Sequence, residues 1–195
     1  MRAGPRARLI PAVLVAVAGL LLTGCSSGGA AGPSGNQYRF SSTTGDGKLI
    51  PKNDRKPAAP MEGTLIRGGS YRLADHRGRV VLVNFWASWC APCVIESPML
   101  NGLYRQLHGR GVDFVGIDIK DERQAATSFI TDNHMSYPMI YDEAAKTALQ
   151  LGVPVGGLPV TVLIDRAGKV AAAYTGAVRR LTILPALQRL AAESR

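Results

Sequence analysis

The sequence predicts an α/β domain built on a mixed parallel and antiparallel sheet covered by helices. Three observations lead there. Residues 80–86 (VVLVNFW) and 112–119 (VDFVGIDI) are near-continuous apolar runs, as expected for strands buried on both faces of a central sheet. Between them Leu100, Leu103 and Leu107 recur at helical spacing. Near the end, 160–164 and 170–174 flank Asp165-Arg166-Ala167-Gly168-Lys169, turn chemistry that reads as an antiparallel hairpin.

Taken in order, residues 64–73 are two short apolar segments around Gly68-Gly69, a hairpin signal. The strand at 80–86 leads into a helix over 91–108, and the strand at 112–119 into a helix over 122–133. A short strand at 139–141 and a helix over 144–151 come next. A terminal helix covers 182–193, with Thr182 as N-cap and Pro185 near the first turn, where proline is tolerated. Pro98 lacks an N–H and frees the carbonyl of Val94, which predicts a kink in the first long helix. Tyr38-Arg39-Phe40 is read as a small strand.

The chain has 195 residues, 46% hydrophobic and 19% charged. This is globular composition and excludes a wholly disordered or fibrous protein. The formal charge of +9 falls to +6 once Arg2, Arg6 and Arg8 leave with the leader described next. The remaining basic residues are scattered, with no run that would track a phosphate backbone. Nucleic acid is therefore not an expected partner, and solubility or attraction to an anionic membrane surface explains the excess better.

Residues 1–8 carry three arginines and no acid, 9–22 (LIPAVLVAVAGLLL) are apolar, and Leu22-Thr23-Gly24-Cys25 ends the segment. That is the anatomy of a signal peptide over 1–24. The apolar stretch is short for a membrane span. Its last four residues resemble a bacterial lipobox, which implies that Cys25 becomes the mature N-terminus and carries lipid, a stable anchor to the membrane. The competing reading is a plain secretory signal with a chance cysteine. Residues 26–35 hold almost no side chain able to build a core, and 52–60 (KNDRKPAAP) is charged and proline-rich. Residues 25–59 therefore read as a flexible tether and 60–195 as the folded domain.

Trp89-Cys90-Ala91-Pro92-Cys93 sits where a buried strand hands over to a helix. Unpaired N–H groups and the helix dipole favour negative charge at that point. A C-x-x-C so placed can lower a cysteine pKa from about 8.5 to about 3.5–7.5. Cys90 is the expected nucleophile and Cys93, one turn in, the resolving thiol. A structural disulfide closing so small a loop gains little from loop entropy. A zinc site wants four ligands, and beyond this pair the sequence offers His76, His108 and His134, far apart. The chemistry resides in the two sulfurs, so no metal and no cofactor is expected. Glu96 lies three positions after Cys93, so its carboxyl could sit beneath the thiols. Partly buried, it would have a raised pKa and could move protons to and from them. On the surface it would only complement the dipole. Trp89 is expected to shield one side of the disulfide and contact substrate, whereas Trp86 is as readily plain core.

Residues 81–93 (VLVNFWASWCAPC), followed by Glu96 and Pro98 and later by 157–165 (GLPVTVLID), resemble the extracytoplasmic thioredoxin-like proteins of the ResA/TlpA family. The resemblance covers about residues 60–195. It implies a thioredoxin-like fold with an added N-terminal β-hairpin and a central insertion, the 122–133 helix with its flanks. It also implies a membrane-tethered thiol-disulfide oxidoreductase facing outside the cytoplasm. Its substrates would be cysteine-containing proteins, and its electrons would come from a membrane thiol-disulfide donor. Many members reduce the haem-attachment cysteines of apocytochrome c. Pro159 corresponds to the family's cis-proline facing the disulfide, which would present the backbone of Leu158 as an edge for an extended substrate peptide. An ordinary loop proline opening a strand is the alternative. Pro92 joins Trp89, Leu158 and Pro159 as an expected substrate contact. Family members place an acid at the position of Glu96. Cytoplasmic thioredoxin instead keeps a buried aspartate in the preceding strand, where this chain has Asn84.

The expected function is a lipid-anchored, monomeric reductase that serves cytochrome c maturation. The same site run the other way would be an oxidase that installs disulfides in secreted proteins. Copper-handling relatives space their cysteines by three residues and add a histidine, against two intervening residues here. A peroxidase would carry Thr-x-x-Cys, and residue 87 is alanine.

Overall fold

The computed structural model describes Met1 and residues 37–41, 43–44 and 48–194. Residues 2–24 of the expected leader, Cys25 as the expected lipid acceptor and the expected linker at 26–35 lie outside the described residues. A hairpin of β1 (Glu62–Thr64) and β2 (Ser70–Arg72) precedes β3 (Val80–Trp86), α1 (Ala91–Leu107) and β4 (Val112–Ile119). Then follow α2 (Arg123–Asp132), β5 (Met139–Asp142), α3 (Lys146–Leu151), β6 (Val160–Ile164), β7 (Val170–Thr175) and α4 (Arg180–Ala192). The main sheet has the order β5-β4-β3-β6-β7. Strands β5, β4 and β3 run parallel, and β6 and β7 are antiparallel to their neighbours. This is the expected mixed sheet of a thioredoxin-like fold, with α2 and β5 inserted between β4 and α3.

The apolar runs explain the layering. Every residue of β3 and β4 is buried, and alternate side chains feed two cores. Leu82, Trp86 and Phe114 pack with Leu100 and Leu103 of α1, Phe129 of α2 and Leu187 of α4. Val83, Phe85 and Ile117 face the other way, onto Leu151 of α3 and onto Met61, Tyr71 and Leu73 around the hairpin. Helices therefore cover one face, while α3 shares the other with the chain's N-terminal segment. The expected Gly-Gly turn is present: Gly68 and Gly69 take φ of 94° and 84°, which a side chain would resist.

Several features of the helices bear on the sequence expectation. Helix α1 spans Ala91–Leu107, close to the expected 91–108, with Pro98 inside it. Helix α3 begins at Lys146 because Ala145 is left-handed, with φ of 55°, and the Asp142 carboxylate accepts the N–H groups of Lys146 and Thr147. Thr182 is not the N-cap of α4. The helix starts at Arg180 after an Arg179 cap that lends no side-chain bond, leaving Thr182 in the first turn. The start is set one residue earlier still, by Val178, whose N–H is held by Glu96.

The packed part also reaches further toward the N-terminus than composition suggests. Tyr38–Phe40 forms no strand, yet Tyr38 N–H donates to Pro57 O and Phe40 N–H to Leu151 O. Residues 50–58 run along β7, with Ile50 N–H donating to Ala171 O, Val170 N–H to Lys56 O and Ala58 N–H to Gly168 O. The segment thereby covers a sheet edge that would otherwise be open to other strands. Arg55 pins it. This buried guanidinium donates to Asp165 at 3.1 Å and to both oxygens of Glu193 at 2.6 and 2.7 Å. Among the described residues no helix is long and apolar enough to cross a membrane.

Removing one partner of a buried ion pair strands the others, at a cost of about 3 kcal/mol. Arg55→Ala is expected to lose roughly that much stability in urea unfolding, and an unchanged midpoint would show that the 48–59 segment contributes nothing to the fold.

Candidate active site

Strand β3 ends at Trp86, and four residues later Cys90 caps α1. Cys90 has extended backbone (φ −87°, ψ 98°), and its Sγ accepts the Cys93 N–H at 3.3 Å. Pro92 suits the first turn, since the N–H it lacks would have had no helical partner. Cys90 and Cys93 are joined in a disulfide. Cys90 is 4% exposed and Cys93 1%, so an incoming sulfur meets Cys90 first. The N–H groups at the head of α1 point to where thiolate charge would develop.

The other sequence-predicted residues lie in or next to the ends of these elements and of β6, apart from Cys25, which is outside the described residues. The Leu158–Pro159 peptide is cis. Val160, the next residue, pairs with Phe85, which puts Pro159 level with the end of β3. Pro159 is buried, Leu158 half-buried, and Trp89 and Pro92 exposed. The Trp89 indole N–H is tied back to Lys120 O at 2.9 Å. Cys25 belongs to the residues not described. Trp86 is core, packed on Phe129 with ring centroids 4.5 Å apart.

Glu96 is buried at 3% exposure, which excludes the surface reading. One carboxylate oxygen accepts from Asn84 Nδ2 at 2.8 Å and the other from the Val178 N–H at 2.9 Å. Asn84 also reaches Thr161 Oγ1 at 3.2 Å. Burial pushes the Glu96 carboxyl up to about 7, against the two hydrogen bonds, which lower it. Asn84 cannot titrate, but it presents a donor to the acid on the neighbouring helix.

Sequence reasoning missed a second set of contacts at the loop. Asp121 accepts the Ser88 N–H at 2.6 Å and the Ser88 hydroxyl at 2.9 Å, fixing the chain two residues before Cys90. Close by, Asp118 is fully buried with no donor facing either oxygen. The signal was present: two acids interrupt the apolar run at 112–119, and strand interiors rarely bury acids without a reason. The first, Asp113, is paired with Arg79 and His76.

Comparison with known proteins agrees with this geometry. The Redoxin family model matches residues 51–186. The thiol-disulfide oxidoreductase ResA of Geobacillus thermodenitrificans is 32% identical over 125 residues, 64% of this chain and 71% of that protein. The thiol:disulfide interchange protein DsbE of Pseudomonas fluorescens is 40% identical over 106 residues, 54% of this chain and 56% of that one. Among solved structures, a secreted thiol-disulfide isomerase from Corynebacterium glutamicum superposes with a TM-score of 0.74 at 32% identity, covering 82% of this chain and all of the other (100%). A DsbF homologue from Corynebacterium diphtheriae gives 0.72 at 31% identity, covering 79% and 99%. A cysteine pair at the head of a helix, in a thioredoxin-like sheet, with relatives of this kind, places the chain in the Redoxin family as a thiol-disulfide oxidoreductase.

Proposed function

We propose that this oxidoreductase delivers electrons outside the cytoplasm, held to the membrane by lipid on Cys25, and that its substrates are the haem-attachment cysteines of apocytochrome c. The observation that carries the reading is the buried Glu96 carboxyl, one helical turn beyond Cys93 and held between Asn84 and Val178. The similarity to proteins named ResA and DsbE supports it. Acting as a monomer, the Cys90 thiolate attacks a substrate disulfide and one substrate sulfur leaves as a thiolate. Cys93 then gives up its proton and attacks Cys90 Sγ, breaking the mixed disulfide and releasing the second substrate sulfur. Two electrons pass to the substrate, and the Cys90–Cys93 disulfide that remains is reduced again by a membrane dithiol. Glu96 takes the Cys93 proton in one half-cycle and returns it in the other; a carboxyl near 7 is populated in both forms at neutral pH. Trp89, Pro92, Leu158 and Pro159 form the rim along which an extended substrate segment lies.

A second reading, disulfide formation or isomerisation in secreted proteins, is favoured by the likeness to the secreted Corynebacterium isomerase. The equilibrium potential of the Cys90–Cys93 pair decides between them. We expect a value at or below about −270 mV, and one near −120 mV would overturn the reductase reading.

The Glu96 role has a pH signature. Its carboxyl ionises near 4.5 in the unfolded chain and about 7 in the folded one. Below the lower value the two states bind the proton alike. Between the two the folded state is progressively penalised, and above the higher the full penalty of about 3 kcal/mol stands. Measured on the oxidised protein, Glu96→Gln is expected to gain roughly that much stability relative to the parent on going from pH 4 to pH 8. The same variant is expected to lose the inflection near neutrality in the rate of Cys93 attack; an unchanged rate profile would remove Glu96 from the proton path. The N-terminal peptide of the mature protein is expected to begin at Cys25 and to carry acyl chains by mass spectrometry, a modification that Cys25→Ala removes; an unacylated Cys25 in the parent would exclude the lipid anchor.

A further inference from the structure

Asp118 lies near the C-terminal end of β4, directly opposite Trp86 of β3 and on the sheet face that carries the disulfide. It has no exposed surface, and neither oxygen meets a hydrogen-bond donor. Asp121, three positions further along the chain, is an acid that bears on it by charge and by hydrogen bonding. Two ionised carboxylates near each other and out of water repel strongly, which favours a proton held on one of them. Asp121 meanwhile grips the active-site loop through the N–H and hydroxyl of Ser88, and it accepts the Glu122 N–H at 2.9 Å. Lys120, between the two acids, holds the Trp89 indole through its carbonyl. Residues 118–121 thus fasten both residues that precede Cys90.

We propose that Asp118 and Asp121 share one proton, and that this pair is a positioning device for the nucleophile Cys90. With the proton in place, Asp118 donates to Asp121 and Asp121 keeps its hold on Ser88. When the proton leaves, two negative charges face each other beneath the loop and the hold on Ser88 loosens. Among the described residues Arg123 is the cation that acts on Asp118, and its pull is smaller than the push of burial and of Asp121. Burial first, then the Asp121 charge, push Asp118 up to about 8; Asp142 adds to this and Arg123 opposes it. Arg123 is itself stacked over the Tyr141 ring at 4.2 Å, and Asp142 is occupied in capping α3. The Tyr141 hydroxyl, which also feels the Asp118 charge, donates to Asp121 O rather than to either carboxylate of the pair. From the β3 side comes Trp86 and from α2 Phe129, neither of them charged.

The inference rests on thiol-disulfide exchange at Cys90 and Cys93 and not on the direction of electron flow. An oxidising potential would overturn the reductase reading and leave this one standing. The test is a pH titration of the oxidised protein by NMR, following the Asp118 carboxyl carbon and the Ser88 amide, with the rate of disulfide reduction by dithiothreitol, corrected for its thiolate fraction, as the functional readout. The Asp118 carbon is expected to shift in a step on the alkaline side of neutrality. The Ser88 amide and the corrected rate are expected to follow the same step. Asp118→Asn, whose amide can donate to Asp121 at every pH, is expected to lose that step from both. An Asp118 carbon that titrates in the ordinary carboxylate range, or a Ser88 amide that ignores its step, overturns the proposal. So does an Asn variant that keeps the parental profile. Should that variant fail to fold, the titration of the unaltered protein decides alone.

Discussion

The active site is held together by a carboxyl group kept out of water between two N–H donors. Glu96 joins α1 to β3 through Asn84 and to the start of α4 through the Val178 N–H, while Asn84 extends the tie to Thr161 of β6. These elements surround the disulfide, so the head of α1 cannot turn or slide without breaking buried hydrogen bonds, which are costly to leave unmade. The same tie explains where α4 begins. Because the two donors compensate only part of the desolvation, the acid stays poised between its charged and neutral forms rather than fully ionised.

Three buried acids show how the environment sets the behaviour of one functional group. Asp113, at the start of β4, is pushed up by burial, but Arg79 and His76 outweigh that and hold it below the usual carboxylate range. Glu96 has neutral donors and no cation, and it settles about 7. Asp118 has no donor and an acid for a neighbour, and it goes higher still. The ordering follows the number and charge of the partners. It also follows position along the sheet, since the cation-paired acid lies at the end of β4 away from the cysteines and the other two lie toward them.

Much of the fold was legible because its signals are local. The apolar runs of β3 and β4, the leucine spacing of α1 and the turn chemistry between β6 and β7 each fall within a few residues, and all appear where expected. Part of the expected tether, residues 50–58, packs against the sheet, and it escapes a local reading for the opposite reason. Residues 52–60 look like a linker in composition, and nothing local announces that Arg55 meets Asp165 and Glu193, 110 and 138 positions away. Thr182 was misplaced as a cap for the same cause, since the register of α4 is set by Glu96, 82 positions from Val178.

The sequence by itself determined the chemistry: two cysteines one turn apart at a strand-to-helix junction form a redox pair because covalent spacing and the helix dipole act over a few ångströms of chain. It also singled out Glu96 by its spacing from Cys93, while Pro159 came from the family resemblance. Only the tertiary structure decided which polar groups each acid would meet. Hydrogen bonding and desolvation depend on partners brought from distant strands, and no local pattern encodes that Asn84 faces Glu96, that Asp121 grips Ser88, or that Asp118 is left without a donor.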